Sequence, residues 1–193
     1  KGWIRTMKGH VESKADIKYK DGDEEGFVIA GMTTDKLMLF ATDGKFHTLE
    51  VNNLPGGRGH GEPIRLLIDI GNDQAVTAAF LYRGDRRFLV ASTGGHGFIV
   101  KEEDCLSSTR KGKQVLNVGD GAEASVCRPA DGDMVAAVGD NKKFLVFPLS
   151  ELPEMSRGKG VAIQKFQEGG LADAKVFSKK EGLTWVDRSG RMQ

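Results

Sequence analysis

The sequence predicts an all-β protein, and three observations support that fold class. Short apolar runs bounded by Gly, Asp or Asn recur along the chain, as β-strands do. Glycine-containing turns join many of these runs into hairpins. A loop with basic residues and glycine follows the hairpins at a spacing of about 50 residues, the size of one propeller blade. We therefore expect a single domain over residues 1–193, built from about four propeller-like units.

The elements follow one another in a repeated order of strand, turn, strand and basic loop. The predicted strands are Phe27–Ala30, Leu37–Ala41, Ala75–Leu81, Phe88–Ala91, Gly97–Val100, Met134–Val138, Phe144–Phe147 and Leu183–Val186. Hairpin turns are predicted at Asp43-Gly44, Gly94-Gly95 and Asn141. The basic loops are Arg58-Gly59-His60-Gly61, Arg110-Lys111-Gly112-Lys113 and Arg157-Gly158-Lys159-Gly160. After each loop come an apolar stretch, a glycine-containing turn and a further strand. No long window has helical periodicity, although Glu102–Ser107 and Ser150–Met155 could each form one helical turn.

The two ends of the chain resemble incomplete units. Gly2–Arg5 is similar to the second half of a hairpin, with Lys8-Gly9-His10 as its loop. Leu183–Asp187 with Ser189-Gly190 begins a fourth unit. The ends could therefore belong to one blade or to neighbouring blades, which is how circular β folds close.

Composition favours a globular protein of a reducing compartment. Hydrophobic residues make up 39% of the chain and charged residues 28%, and no apolar run approaches the roughly 18 residues of a membrane span. The two cysteines, Cys105 and Cys127, do not form a disulfide framework. The N-terminus has no signal-peptide pattern and no initiating Met, so we expect a cytoplasmic fragment of a longer subunit.

The basic loops are the predicted binding sites, and their predicted partner is double-stranded DNA. Glycine lets a backbone approach a phosphate closely, and flanking Arg or Lys supplies charge. The alternative for each loop is a solvated turn in which Gly serves only a positive φ. With about six phosphate contacts, the log–log salt slope of binding would be near about −5. The candidate residues are Arg5, Lys8, His10, Arg58, His60, Arg110, Lys111, Lys113, Arg157 and Lys159.

Other motifs carry weaker functional signals. Lys142-Lys143 and Lys179-Lys180 could extend a basic surface or be solvated turns. The Gly94–Gly97 run lacks the helix and Lys-Ser/Thr of a phosphate loop, so a hairpin turn is favoured. The histidines and cysteines have no metal-ligand spacing, and Asp21–Glu25 lacks the remaining ligands of a calcium loop. Core packing is favoured over base stacking for Trp3 and Trp185.

Three segments resemble one known family. Lys1–His10 and Leu54–Pro63 are similar to the C-terminal domain of the A-type subunit of bacterial DNA topoisomerase IV, and Phe147–Gly160 is similar to a later blade of that domain. The related gyrase domain carries a Gln-Arg-Arg-Gly-Gly-Lys-Gly box that supports DNA wrapping. Here the nearest match, Gly56–Gly61, is degenerate, which favours topoisomerase IV over gyrase and argues against strong wrapping.

The resemblance implies a β-pinwheel, a propeller-like ring in which neighbouring blades exchange strands. It also implies a non-catalytic domain that binds and bends DNA on its outer rim and guides a segment to the catalytic core for decatenation and supercoil relaxation. The implied partners are the N-terminal catalytic part of the same polypeptide, the ATPase subunit of topoisomerase IV, and a chromosome-organising protein. No cofactor is implied in this domain, whereas the holoenzyme would use ATP and Mg. Tyr19 and Tyr82 match no catalytic motif.

Two other function classes compete with DNA binding. A propeller-type protein-interaction module is favoured by the net charge of only +1, because dedicated DNA-binding domains are usually more basic. The repeated basic loops argue against it. An independent enzyme is the weakest alternative, because no nucleophile–base pair, metal cluster or cofactor motif has useful spacing.

Overall fold

The structure is a computed structural model that describes residues 2–9, 19, 21, 24–56 and 59–184. The predictions made for His10, Arg58 and Trp185, and for most of the fourth unit, lie outside the described residues.

The described chain is all-β, as predicted. Its strands are β1 Trp3–Ile4, β2 Lys36–Ala41, β3 Lys45–Glu50, β4 Glu62–Pro63, β5 Val76–Leu81, β6 Arg87–Ser92, β7 His96–Lys101, β8 Lys113–Gln114, β9 Ala124–Pro129, β10 Met134–Gly139, β11 Phe144–Pro148, β12 Val161–Ala162 and β13 Leu171–Phe177. Single turns of 3-10 helix occur at Val51–Asn53, Ile64–Leu66, Glu102–Cys105 and Leu149–Glu151. Two of these overlap the predicted helical turns.

Three antiparallel sheets follow one another along the chain. The first sheet has the order β5-β2-β3-β8, the second β12-β7-β6-β9, and the third β11-β10-β13. A small two-stranded sheet pairs β1 with β4. The predicted hairpins β2–β3, β6–β7 and β10–β11 are confirmed.

Each unit donates a short strand to the sheet before it. β8 follows the second hairpin in the chain but pairs with β3 of the first sheet, where Lys113 lies opposite Phe46. In the same way, β12 follows the third hairpin and pairs with β7. β4 follows the first hairpin and pairs with β1. We call β4, β8 and β12 the exchange strands. This exchange is the β-pinwheel arrangement that the resemblance implied.

Alternate residues of each strand supply two different core layers, because side chains in a strand point to opposite faces. Met38 and Phe40 of β2 pack between the first and second sheets with Phe88 and Val90 of β6. Leu89 and Ala91 of β6 face the third sheet instead. A third layer covers the other face of the first sheet. Successive sheets are therefore stacked face to face, with apolar layers between them.

The exchange strands lie on the outer side of this stack. β9 contacts both β5 and β13, so the last strands of the three units adjoin one another across sheet boundaries. In the first and second sheets, the exchange strand is at the edge opposite to these strands. The loops that lead into the exchange strands are therefore at the outer rim.

The predicted strand Phe27–Ala30 is wrong. These residues have no regular structure, and Phe27 and Val28 are 54% and 53% exposed. The last strand of each complete unit pairs with the first strand of its own hairpin, as β5 does with β2. In the described part of the chain no such strand lies beside Phe27–Ala30, so β-propensity alone does not order the segment.

Candidate nucleic-acid interface

Each predicted basic loop leads directly into an exchange strand. Gly61 precedes β4, Gly112 precedes β8, and Gly160 precedes β12. All three glycines have positive φ, at 83°, 75° and 78°. They therefore occupy the same position in their units, and the loops can be aligned on them.

These glycines are required by contact with the preceding hairpin. A Cβ at Gly61 would lie 2.2 Å from the carbonyl oxygen of Ile4, and one at Gly160 would lie 2.1 Å from that of Gly97. At Gly112 the nearest atoms belong to the His47 ring, at 2.7 Å. Each of these glycines therefore lets the exchange strand dock closely against the hairpin.

The residue before each of these glycines is basic or histidine. His60, Lys111 and Lys159 occupy this position, and all three are exposed. We call these three residues the rim row. The residue immediately before each member of the rim row is Gly59 in the first loop, Arg110 in the second and Gly158 in the third. The arginine of the second loop is therefore one residue nearer to its docked glycine than the arginines of the other two loops. The rim-row position on the outer edge holds a histidine in the first loop and a lysine in the second and third.

Most of the predicted cations of the second and third loops are open to solvent. Lys111, Lys113, Arg157 and Lys159 are exposed. Among the described residues, none of the four forms an ion pair. Their charges can be offered to an anionic ligand without breaking an existing pair.

Arg110 differs because its side chain is turned toward the protein. Its Nη2 donates to the Leu66 carbonyl at 2.7 Å, and its Nε lies 3.6 Å from a carboxylate oxygen of Asp69. Its own carbonyl accepts the Asp69 backbone N–H at 2.9 Å and lies 3.2 Å from Nδ1 of His47. His47 is buried beneath the loop, and that burial lowers the pKa of the ring.

The third loop is tied to the unit before it in a similar way. Gly158 donates its N–H to the Val115 carbonyl at 2.9 Å and accepts that of Asn117 at 2.8 Å. Both partners follow exchange strand β8, as Asp69 follows β4. Each of these loops therefore rests on the segment after the preceding exchange strand. Sequence reasoning missed Asp69, Asn117 and His47, because no local pattern distinguishes them.

At the N-terminus, the hydrogen bonds and the glycine positions give Gly2–Lys8 a different place in the repeated unit from the one predicted. Gly2 has φ of 74° and precedes β1 as Gly44 and Gly95 precede β3 and β7. The Thr6 N–H bonds the Pro55 carbonyl at 2.8 Å, just as Ile99 bonds Pro153 at 2.9 Å. Lys8 therefore corresponds to the end of a second hairpin strand and not to a basic loop.

The remaining N-terminal candidate adjoins the first loop. The Arg5 guanidinium donates to the Gly59 carbonyl, which brings this side chain to the base of that loop. His10 and Arg58 lie outside the described residues.

The thiols and metal-ligating side chains form no reactive centre in the described part of the chain. Cys105 and Cys127 both pack in the layer between the first and second sheets. Burial raises the pKa of Cys105 to about 12 and also raises that of Cys127, so both thiols stay protonated and unreactive near neutral pH. Among the described residues, no group of His, Cys, Asp or Glu is arranged to hold a metal ion.

Curated relatives match almost the whole chain. The A-type subunit of DNA topoisomerase 4 from Caulobacter vibrioides is 46% identical over 191 residues, which are 99% of this chain and 25% of the relative. The protein of the same name from Rickettsia bellii is 44% identical over 184 residues. This chain belongs to the family of A-type subunits of DNA topoisomerase IV. It spans about a quarter of the length of these relatives. No family model matches the chain.

Solved structures place the match in the C-terminal domain of that family. The Escherichia coli ParC C-terminal domain superposes with a TM-score of 0.83 at 28% identity, covering 92% of this chain and 76% of the other. The DNA gyrase A C-terminal domain, at a TM-score of 0.58 and 16% identity, shares the fold alone.

Within the part of the chain that the structure describes, no helix is long and apolar enough to cross a bilayer.

Proposed function

We propose that this domain binds and bends double-stranded DNA as a non-catalytic part of topoisomerase IV. The observation that carries the proposal is the rim row, because it repeats a cationic or titratable side chain at one position on the outer edge of successive sheets. A curved series of charges suits a curved polyanion.

In this role the domain would guide a DNA segment to the catalytic core for decatenation and supercoil relaxation. The cleavage chemistry would belong to the N-terminal part of the same polypeptide, and the ATP and Mg chemistry to the holoenzyme. A chromosome-organising protein is a further proposed partner, and the bacterial nucleoid is the proposed place of action. Backbone contacts carry no direct base information, so binding should be independent of sequence.

The test is fluorescence anisotropy with a mixed-sequence duplex across a salt series. One variant, called the rim variant, carries Lys111→Ala and Lys159→Ala of the rim row together with Arg157→Ala of the third loop. A matched control carries Lys175→Ala, Lys179→Ala and Lys180→Ala, which remove the same charge from exposed positions in and after β13. We expect the rim variant to bind more weakly, with a salt slope shallower by about 2.7, at about 0.9 for each phosphate that is no longer neutralised. The control should keep the slope of the unaltered domain.

Two results would contradict the proposal. One is the absence of duplex binding at low salt, and the other is an equal loss of binding by the rim variant and the control. Circular dichroism of each variant would show that the fold is intact.

The second candidate function is a protein-interaction module, and the third sheet favours it. Phe144, Leu145 and Val146 of β11 are 58%, 39% and 41% exposed. In the first and second sheets the equivalent strand is covered by an exchange strand, whereas the described residues place none on β11. An open apolar edge strand can accept another extended polypeptide. Loss of DNA binding in the experiment above would favour this function.

A further inference from the structure

The second basic loop contains one cation that is held differently from the others. Two groups hold the Arg110 guanidinium, namely the Leu66 carbonyl at 2.7 Å and the Asp69 carboxylate at 3.6 Å. Both belong to the segment that follows exchange strand β4. The side chain also lines an open groove of about 530 Å³ with Leu67, Ile68 and Ser107, on the side that faces the first unit.

The backbone of the loop is held by the same segment. The Asp69 N–H donates to the Arg110 carbonyl at 2.9 Å, so the Asp69 carboxylate is anchored beside the guanidinium by its own main chain. The Nδ1 of His47 lies 3.2 Å from the same carbonyl oxygen. Arg110 therefore joins two units through both its backbone and its side chain.

The other loops have no side chain at this position. The equivalents of Arg110 are Gly59 and Gly158. In the third loop, Gly158 makes the contact with the preceding segment through two backbone hydrogen bonds. In the third loop this position thus connects two units without any cation. We call this connection the tie, and its presence there indicates that Arg110 has the same role in the second loop.

The net charge of this tie is close to zero, because Arg110 lies beside Asp69. Asp69 is about as exposed as Arg110, with side-chain exposures of 53% and 60%. Its carboxylate would repel a nearby phosphate if Arg110 did not neutralise it. By contrast, Lys111 and Lys113 flank the tie, are exposed and form no ion pair with a described residue.

We infer that Asp69 restrains Arg110 as a positioning residue, so that the second loop contacts DNA phosphates through Lys111 and Lys113 and not through Arg110. This inference rests on the proposed DNA-binding function. Asp69 sets the number of phosphate contacts that the loop makes, and removal of its charge adds one.

The test compares salt slopes for variants of the domain. Lys111→Ala removes a phosphate contact, so its slope should be shallower by about 0.9. The double variant Arg110→Ala with Asp69→Asn removes the ion pair without leaving a bare carboxylate, and it should leave the slope unchanged. Asp69→Asn keeps the backbone N–H but removes the counter-charge of the guanidinium and leaves the neutral Leu66 carbonyl as its partner, so its slope should be steeper by about 0.9, with tighter binding. Asp131→Asn is the matched control, because it changes the net charge equally at an exposed position in the β9–β10 connection.

The outcomes separate this inference from the proposed function. If the unaltered domain shows no salt-dependent binding, the proposed function fails. If it binds but the double variant of Arg110 and Asp69 flattens the slope as much as Lys111→Ala does, Arg110 is a direct contact and the inference is overturned. An Asp69→Asn variant that behaves like Asp131→Asn would overturn it as well.

A measurement without DNA tests the restraint itself. The Arg110 side chain should be less mobile in the unaltered protein than in Asp69→Asn, as followed by NMR relaxation of its Nε–H. Equal mobility in the two proteins would show that Asp69 does not hold the guanidinium. A merely structural role of Asp69 would change stability but would not steepen the salt slope.

Discussion

At the scale of single residues, Glu102 is a carboxylate held entirely inside the protein. It is fully buried and accepts the backbone N–H groups of Arg83 and Gly84 at 3.0 and 2.7 Å. Its carboxylate also accepts a hydrogen bond from Nη2 of Arg86 at 2.7 Å. The Arg86 guanidinium lies over the rings of Phe80 and Phe88. Glu102 therefore fixes the connection between the first and second sheets.

Replacement of Glu102 by Gln should destabilise the fold by about 2–4 kcal/mol. The change leaves a partly buried guanidinium without its counter-charge and turns an amide N–H₂ toward backbone donors. Urea unfolding measures the loss. The matched control is Glu103→Gln on the same 3-10 turn, where the side chain is exposed and a change within about 0.5 kcal/mol is expected.

The same variant should alter the pH dependence of stability. Although burial opposes ionisation, hydrogen bonds from Arg86, Arg83 and Gly84 leave the pKa of Glu102 below its usual value. A carboxyl with a lowered folded pKa contributes stability above its unfolded pKa, which is lost as the pH falls through the folded value. Stability should therefore fall less below about pH 4.5 in Glu102→Gln than in the unaltered domain. Parallel acid profiles for the two proteins would contradict this role.

At the scale of elements, the docking of exchange strands depends on backbone contact that only glycine permits. Gly160 immediately precedes β12 and lies against the carbonyl of Gly97 in β7. Gly121 lies in the turn before β9 and has a similar φ of 71°, but no atom lies within 4 Å of its Cβ position. The two glycines thus share backbone conformation and differ in the space around them.

Gly160→Ala should cost about 3 kcal/mol or more, whereas Gly121→Ala should cost about 1 kcal/mol. Positive φ alone costs an L-residue about 1–2 kcal/mol. At Gly160 the added methyl group would also force β12 away from β7. Thermal and urea unfolding of both variants would measure the difference. Equal losses would show that conformational strain, and not close approach, is what requires glycine before an exchange strand.

At the scale of the whole molecule, net charge conceals the distribution that matters for binding. Lys and Arg number 28 and Asp and Glu 27, so the chain is almost neutral. Many acids are neutralised within the fold, as Asp173 is by Arg128 across β13 and β9. The rim row lies instead on the outer edge of the stack. Under the proposed function, a duplex that contacts more than one loop of this edge bends to follow it.

Flexible DNA should therefore bind more tightly than intact duplex. Bending a site of about 20–30 base pairs costs roughly 1–6 kcal/mol, and a short mismatched bubble at its centre removes part of that cost without removing any phosphate. We expect a duplex with a central bubble to bind about fivefold tighter than a fully paired duplex of equal length, as measured by competition. Equal affinities would mean that the DNA stays straight and contacts a single loop.

Local features were predictable from the sequence because they depend on short-range chemistry. The turns at Gly44 and Gly95 need a positive φ, which favours glycine. The runs on either side of them are continuously apolar or alternate between apolar and polar residues, as strands do. The hairpins and their order therefore follow from residues that are close together in the chain. The repeat of basic loops followed from the same local pattern. Phe27–Ala30 has an equally strand-like composition, yet it is not a strand, because a strand also needs a partner.

Tertiary structure alone decided where those elements go and what the charges do. Lys113 pairs with Phe46, a residue far away in the chain, and two-residue exchange strands carry no periodic signal. The alignment of His60, Lys111 and Lys159 became visible only when the docked glycines set the register. Likewise, Arg110 and Lys111 are adjacent and chemically similar in the sequence. The approach of Leu66 and Asp69 from the preceding unit distinguishes them, because hydrogen bonds and ion pairs depend on distance in space and not along the chain.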